Sequence, residues 1–332
     1  QPEYEAAILE DLAWLGMTHD IFARQIERTD AHARAAEALK ASGHLYPAYE
    51  TADELDRRRK RQIAAHKPPV YDRAALKLTA EDRAKLESEG RKAHWRFKLS
   101  QSKVKWHDLM RGDVEIDTAH LSDPVLIRED GRFLYTLPSV VDDIDFKITH
   151  IIRGEDHVTN TAAQIEIFAA LGATIPHFAH FPLLIGSGGE ALSKRIGSLS
   201  LREIRENGIE PLALASYLAK TGTSDAIELK PSLDVLAEEF DFAKIGRAPA
   251  HFDPKELDGL NAKLLHALPY EAVKDRLSLL GVESEAVWEA IKTNVAKLAD
   301  AADLAVLVAG PLKPMIEDAA FASKAADLLP PE

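Results

Sequence analysis

The sequence predicts an α/β protein that holds a ligand where the strands of its parallel sheet end. Two apolar segments support this prediction: residues 149–152 end in a charged cluster and precede a helix pattern at 161–171, and residues 181–185 lead into a glycine-rich loop. Strands that alternate with helices are typical of α/β folds, whose ligands bind at the carboxyl ends of the strands. Short alternating strand patterns between residues 94 and 127 indicate an α+β unit inserted in this domain.

The region before this block is predicted to be mostly helical. Apolar residues at helical spacing predict helices over 2–15 and 29–42. Thr51 and Glu54 have the reciprocal capping pattern and open a charged helix, and a short helix begins at Thr79.

Strands are expected again at 133–140 and 148–152, and the chain becomes helical after Arg195. Ser200 is expected to cap one helix, and Pro211 lies where the first turn of another tolerates proline. Leucine- and alanine-rich amphipathic segments follow at 255–268, 270–280, 284–298 and 301–308. Such spacing is typical of the core of a helical bundle.

Length and composition limit the possible classes of protein. At 332 residues the chain exceeds one hydrophobic core, and about two to four domains are expected. The absence of cysteine excludes disulfides, cysteine nucleophiles and thiolate metal sites, and is compatible with the cytoplasm, where we expect the protein to act. No apolar run has the length of a membrane span, so no membrane partner is expected.

The net charge of −13 argues against a general nucleic-acid coat protein, so a nucleic-acid partner would need local basic patches. Residues 57–61 form one such patch, although five consecutive charges cannot all face one way on a helix and a solvated helix face is the alternative. A looser patch surrounds Trp95 and Trp106 and consists of Arg91, Lys92, Arg96, Lys98, Lys103 and Lys105.

The glycine-rich loop has the chemistry of a phosphate-binding loop. Three glycines between 186 and 189 let the backbone approach a ligand, and Ser193, Lys194 and Arg195 then supply a hydroxyl and two cations. The spacing is not that of a P-loop, so a different grip on ATP would be needed. An ordinary hairpin with a solvated basic tip is the alternative.

The charged cluster at the end of the first apolar segment is Arg153-Gly154-Glu155-Asp156-His157. The arginine fork suits a substrate carboxylate, and the two acids can accept hydrogen bonds from an amino group or from ribose hydroxyls. A surface cluster of ion pairs is the alternative.

With both segments in view, the chain resembles the bacterial glutamyl-tRNA synthetases of class I. Arg153 to His157 match the family's glutamate-binding strand end, and Ala191-Leu192-Ser193-Lys194-Arg195 occupies its second ATP signature, the KMSKS-type loop. Residues 177–184, 135–143 and 208–214 also follow the family pattern. These unlike motifs occur in the family's order and spacing.

The resemblance implies a role for each matched residue. Lys194 would be the catalytic cation, and ATP would contact Asp156, Leu184, Ser193 and Arg195. Glutamate would be bound by Tyr135, Arg153, Gly154, Glu155, Asp156 and His157. Ala191 stands where the family usually has lysine, which bears on the affinity of the loop for ATP. Magnesium is expected with ATP, without a dedicated protein site.

The resemblance also implies a domain order. Residues 1–44 and 128–199 would form a Rossmann-type catalytic domain whose N-terminal part is absent, and residues 45–127 an insertion that binds the acceptor stem. Residues 200–256 would be a helical stem-contact region, and 257–332 an incomplete all-α anticodon-binding region. The family's first ATP signature would lie upstream of Gln1, so we expect a fragment that does not complete catalysis alone.

Some family members carry a cysteine-based zinc site in the insertion. Without thiolates no such site can form here, so no zinc and no other protein-bound metal are expected, and packing of Tyr46, Tyr49 and Tyr71 is expected instead.

The predicted enzyme is a monomeric glutamate–tRNA ligase with ATP, L-glutamate and tRNA(Glu) as substrates, and tRNA(Gln) is left open as another. Two alternatives share the core: a catalytically incomplete paralogue that binds tRNA, and a glutamyl-queuosine tRNA synthetase-like enzyme, which the helical tract after Asp253 disfavours. A glutaminyl-tRNA synthetase would have β-barrel strands there, and no such pattern occurs.

Overall fold

A computed structural model describes residues 2–186, 188–189, 200–309, 320–321 and 324 of the chain. Elements up to residue 127 are α1 (Pro2–Trp14), α2 (Thr29–Ala41), β1 (Leu45–Ala48), α3 (Ala52–Ala64), α4 (Ala80–Ser88), β2 (His94–Phe97), β3 (Lys103–Asp108), β4 (Gly112–Asp117) and β5 (Val125–Ile127). The helices predicted over residues 2–15 and 29–42 are confirmed as α1 and α2. The capping boxes of Thr51 with Glu54 and of Thr79 with Asp82 are both present.

The second half of the described chain begins with the elements that carry the charged cluster. The remaining elements are α5 (Thr136–Asp145), β6 (His150–Gly154), α6 (Val158–Ala170), β7 (His177–Phe181), β8 (Leu184–Gly186), α7 (Leu201–Glu206), α8 (Pro211–Lys220), α9 (Leu233–Glu238), β9 (Ala250–Phe252), α10 (Pro254–Ala267), α11 (Tyr270–Leu279), α12 (Glu285–Ile291) and α13 (Asp300–Ala309).

Within the described residues the strands form three sheets, in the orders β4-β3-β7-β6, β1-β2-β5 and β8-β9. In the first sheet β7 runs parallel to both β3 and β6, and β4 returns antiparallel to β3. The carboxyl ends of β3, β6 and β7 therefore meet at one edge, where Asp108, Gly154 and Phe181 are the last strand residues. This edge carries the candidate site.

The β3–β4 hairpin lies inside the range predicted as an insertion, 45–127, yet it extends the sheet that contains β6 and β7. The rest of that range forms the separate sheet β1-β2-β5. One core joins both parts, because Leu45, Phe97 and Val104 pack in the same buried cluster as Leu137 and Phe178. The domain boundaries themselves stay a prediction.

Residues 133–140 were expected to be a strand, and this prediction was wrong for most of the range. The chain forms α5 from Thr136, with Leu137, Val140 and Val141 buried on one face. Their spacing of three and four residues matches the helical period, which outweighs the β propensity of the valines.

The apolar run 181–185 is not one buried strand either. β7 ends at Phe181, the chain passes through Pro182, and β8 begins at Leu184 and pairs with β9. Proline cannot donate a hydrogen bond to a sheet, which explains the break. Leu183 and Leu184 are exposed beside the candidate site.

The helical region after residue 200 agrees with the prediction. Ser200 caps α7 with a capping box, and Pro211 lies in the first turn of α8. α10 to α13 pack around Leu265, Leu277 and the fully buried Trp288. The segment predicted as 284–298 is shorter, since α12 ends at Ile291 and a single 3-10 turn follows.

The three tyrosines of the insertion pack as expected, and each also donates to a carboxylate. Tyr46 donates to Asp123 at 2.6 Å, Tyr49 to Glu87 at 2.6 Å and Tyr71 to Glu50 at 2.8 Å. Burial and its carboxylate partner both raise the pKa of Tyr46. The predicted absence of zinc stays a prediction.

No helix among the described residues is both long enough and apolar enough to cross a lipid bilayer.

Candidate functional site

Arg153 lies at the centre of the candidate site and is the second-last residue of β6. β6 and β7 are in parallel register, so Arg153 stands directly opposite His180. The chain then turns through the 3-10 helix Glu155–His157 into α6. A helix that begins at this edge directs its N-terminal backbone N–H groups toward the site, which favours an anionic ligand.

The guanidinium of Arg153 is held by uncharged groups. Nη2 donates to Thr161 Oγ1 at 2.7 Å and to Gln164 Oε1 at 2.6 Å, and Nε donates to His180 Nε2 at 3.3 Å. Nη1 takes part in none of these three contacts. Thr161, Gln164 and His180 are themselves almost completely buried, so the fork is fixed from below.

The positive charge of Arg153 is therefore not consumed by a hydrogen-bonded acid within the described part of the chain. Burial lowers the pKa of Arg153, while Tyr135, Asp143 and Asp156 act in the opposite direction. Arginine nevertheless stays protonated in proteins. A partly buried cation without a bonded counter-ion is suited to a ligand carboxylate.

Tyr135 and His157 lie next to each other, and Tyr135 is close enough to Arg153 to affect the pKa of the guanidinium. Their ring centroids are 6.1 Å apart, and Tyr135 is largely exposed at the start of α5. Asp156 is also exposed, with its carboxylate 3.8 Å from His157 Nε2. The structure thus brings together Tyr135, Arg153, Asp156 and His157, as the sequence predicted.

Gly154 lies close to two side chains at the turn. A Cβ at this position would lie 2.6 Å from Asp156 Oδ1 and 3.3 Å from Leu183 Cδ2. A side chain at position 154 would require the carboxylate of Asp156 to rotate away from its present position. The glycine therefore acts through the backbone and not through a polar group of its own.

Glu155 binds a second arginine, Arg111. Arg111 Nη1 donates to Glu155 Oε2 at 2.7 Å, and the backbone N–H of Leu183 is 3.5 Å from Glu155 Oε1. Glu155 thereby links the end of β6 to the turn after β3 and to the segment between β7 and β8. This placement favours a structural role at the site over direct contact with an amino group.

The predicted ATP-binding loop can be located only in part. Leu184 opens β8, adjacent to Leu183 and hence to the end of β6. Ala191, Leu192, Ser193, Lys194 and Arg195 lie outside the described residues. Among the residues that are described, no group of three or more His, Asp or Glu side chains could hold a metal ion.

Sequence reasoning missed Thr161, Gln164 and His180, which hold Arg153 from below, and Asp108, which binds His180. His180 lay within a recognised motif, but nothing in its local sequence connects it to a residue 27 positions earlier. The parallel pairing of β6 with β7 makes that connection. Asp108 closes β3 and accepts a hydrogen bond from His180, a contact that likewise depends on strand order.

Comparisons with known proteins match this chain to one family. The family model for "tRNA synthetases class I (E and Q), catalytic domain" matches residues 1–258. Glutamate–tRNA ligase 1 of Parvibaculum lavamentivorans is 59% identical over 333 residues, which cover 99% of this chain and 74% of that protein. Glutamate–tRNA ligase 2 of Methylobacterium sp. is 57% identical over 334 residues, covering 100% of this chain and 75% of that protein.

Solved structures agree with these relatives. A glutamate tRNA ligase from Elizabethkingia meningosepticum, solved in complex with its amino acid, superimposes with a TM-score of 0.82 at 26% identity. The match covers 98% of this chain and 73% of that one. A glutamate-tRNA synthetase from Elizabethkingia anophelis gives a TM-score of 0.83 at 27% identity and covers 98% of this chain and 74% of that one.

Proposed function

The chain belongs to the class I tRNA synthetases of the glutamate and glutamine family, and on this premise we propose that it is a glutamate–tRNA ligase. An oxygen of the glutamate α-carboxylate attacks the α-phosphorus of ATP, and pyrophosphate leaves. A hydroxyl of the terminal ribose of tRNA then attacks the acyl carbon, and AMP leaves. Catalysis of both steps rests on positioning and on placing positive charge where negative charge develops.

The observation that supports this function most directly is the state of Arg153. Its Nε and Nη2 atoms are fixed by Thr161, Gln164 and His180, while its charge has no bonded carboxylate among the described residues. We assign Arg153 to a carboxylate of glutamate. Tyr135 and His157 then line the same pocket, and Gly154 and Glu155 shape its wall.

For ATP we propose the segment that follows β7. Asp156 follows the end of β6, and Leu184 opens β8 shortly after the end of β7. Both therefore lie at the sheet edge where α/β proteins bind nucleotides. Lys194 supplies the cation for the α-phosphate, and Ser193 and Arg195 support the loop. Mg²⁺ enters with ATP, held mainly by phosphate oxygens.

The proposed macromolecular substrate is tRNA(Glu), bound by a monomer. The insertion within 45–127 would contact the acceptor end, and the helices of 200–256 and 257–332 would extend along the tRNA. Several basic residues of the insertion already have acidic partners: Lys103 and Lys105 pair with Glu115, and Arg91 pairs with Glu54. Charging of tRNA(Gln) would be seen in the same assay with that tRNA.

Replacing Arg153 with alanine in the full-length protein tests the carboxylate assignment. The KM for glutamate should rise by an amount equivalent to about 2–5 kcal/mol, because the substrate charge would be left unpaired in a partly buried site. The KM for ATP should change little. Steady-state charging of tRNA at varied glutamate and ATP concentrations measures both constants.

The matched control is Arg132→Ala, since Arg132 is an exposed arginine whose charge pairs with Asp130. It should leave both KM values unchanged. An unaltered glutamate KM in Arg153→Ala would remove Arg153 from the substrate site.

Replacing Lys194 with alanine tests the proposed cation. The rate of ATP–pyrophosphate exchange should fall about 10²–10³-fold, since one group that stabilises developing charge is lost. Lys274→Ala, which removes a lysine paired with Glu271 on α11, is the control. A Lys194→Ala protein that exchanges as fast as the control would return the loop to the hairpin alternative.

A further inference from the structure

Asp108 and His180 form a buried pair directly beneath Arg153. Both side chains are completely inaccessible to solvent. Asp108 is the last residue of β3 and His180 lies in β7, and β7 also pairs with the strand that carries Arg153. A buried carboxylate costs desolvation free energy, so its presence next to the proposed substrate arginine needs an explanation.

Hydrogen bonding fixes the position of the proton on His180. Its Nδ1 is 2.5 Å from Asp108 Oδ2. Burial raises the pKa of Asp108, but hydrogen bonds from His180 and from the backbone N–H groups of Arg111, Met110 and His180 outweigh burial and lower it. The ionised carboxylate can only accept, so Nδ1 of His180 carries the proton.

The other ring nitrogen is therefore an acceptor, and it faces Arg153. His180 Nε2 lies 3.3 Å from Arg153 Nε and 3.0 Å from Thr161 Oγ1. Arg153 can only donate. Burial lowers the pKa of His180, as do the charges of Arg153 and Arg111, while Asp108 acts in the opposite direction. A neutral imidazole with its lone pair on Nε2 is the form that satisfies all these neighbours.

We propose that Asp108 and His180 are positioning residues for the glutamate site: they fix the histidine tautomer that accepts from Arg153 Nε and so hold the guanidinium in its substrate-binding orientation. This inference rests on the proposed function. Thr161 completes the support, because its hydroxyl oxygen accepts from Arg153 Nη2. Neither Asp108 nor His180 needs to touch the substrate.

The surroundings of Asp108 make Asp108→Asn a sharp test. Asp108 Oδ1 lies 3.1, 3.0 and 3.2 Å from the backbone nitrogens of Met110, Arg111 and His180. These three donors require an oxygen at that position, so the amide NH₂ of asparagine must face His180 Nδ1. The histidine proton must then move to Nε2, where it would oppose the Nε–H of Arg153.

We expect Asp108→Asn in the full-length protein to raise the KM for glutamate on the order of tenfold to a hundredfold, by comparison with the loss of an outer-shell partner of a metal-bound histidine. The kcat at saturating glutamate and the KM for ATP should change far less than the KM for glutamate. The control is Asp142→Asn, which removes the charge of another aspartate that lies beside a histidine, with His32 Nε2 at 2.9 Å. Asp142 also accepts from Arg28 at 2.7 Å, and among the described residues it has no hydrogen bond to Arg153. A folded Asp108→Asn protein with the glutamate KM of the control would overturn the proposal.

A second measurement does not depend on the activity of any variant. Nitrogen-15 NMR of the imidazoles in the unmutated, substrate-free protein should show His180 protonated at Nδ1 and unprotonated at Nε2, with the signal assigned by its loss in His180→Gln. A signal protonated at Nε2 would contradict the proposal even if Asp108→Asn does not fold. If the unmutated protein does not charge tRNA with glutamate, the proposed function fails, whereas the tautomer is still measured.

Discussion

At the scale of single residues, the candidate site depends on how the charge of Arg153 is held without a hydrogen-bonded carboxylate among the described residues. Arg153 receives its orientation from Thr161, Gln164 and His180, which are buried and uncharged acceptors. A carboxylate in the same place would bind the fork more tightly and leave less charge for a ligand. Neutral support is therefore the arrangement that suits an arginine which must bind an acidic substrate.

Asp143, on α5, is the acid whose pKa is raised in this region. Burial raises its pKa to about 6, and the attraction of Arg153 only partly offsets this effect. The folded protein thus holds a proton on Asp143 more tightly than the unfolded chain, so the charged form destabilises the fold as pH rises from about 4 through 6.

Asp143→Asn should accordingly raise the melting temperature at pH 7.5, and the gain should largely disappear near pH 3, below the ordinary pKa of 3.8, where the aspartate is mostly protonated in both states. Thermal unfolding of the variant and the unmutated protein at the two pH values measures the difference. Asp275→Asn, at an exposed position on α11, is the control. A gain of equal size at both pH values would show that burial of the charge is not its cause.

At the scale of elements, the order of the strands in the sheet determines which side chains meet at the site. β3, β6 and β7 are parallel neighbours, so residues far apart in sequence meet at one edge: Asp108, Arg153 and His180. The helices of the insertion are instead fixed by local signals, of which the start of α3 is the clearest. Thr51 accepts from the backbone N–H of Glu54, and Glu54 accepts from that of Thr51.

Thr51→Ala should lower the free energy of unfolding by about 1 kcal/mol, the usual cost of losing a helix N-cap. Thr51→Ser keeps the oxygen and should restore most of the loss. Chemical denaturation of the three proteins measures the effect. Equal loss in both variants would mean that the methyl group, and not the cap, matters.

Glu54 makes the same helix start sensitive to acid. A hydrogen bond from Arg91 and then one from the backbone of Thr51 lower the pKa of Glu54 to about 2. The stabilisation is present above the ordinary value of 4.5 and is lost as pH falls through about 2. The stability difference between the unmutated protein and Glu54→Gln should therefore be largest near neutral pH and shrink in acid.

At the scale of the whole molecule, local patterns predicted most helices and the position of the charged strand end. Thr51, Thr79 and Ser200 were identified as caps because capping chemistry spans only four residues. The helix beginning at Thr136 was missed, since its valines favour strands and only burial of one face selects the helix. The apolar run 181–185 was interpreted as one strand, but the break at Pro182 divides it between β7 and β8.

The site was predicted in part for the same reason. Tyr135, Arg153, Asp156 and His157 belong to motifs that are continuous in sequence, and the structure brings them together. The groups beneath Arg153 come from β3, α6 and β7, so their relation to it exists only once the strands are paired. No local pattern distinguishes such a buried support from ordinary core polarity.

The most direct test of the whole account is a tRNA-charging assay with the full-length protein, ATP and Mg²⁺, comparing glutamate with glutamine on purified tRNA(Glu) and tRNA(Gln). The account predicts ATP-dependent attachment of glutamate to tRNA(Glu), with glutamine rejected because it lacks the second carboxylate charge. A folded protein that attaches no glutamate, or that attaches glutamine at a comparable rate, would contradict it.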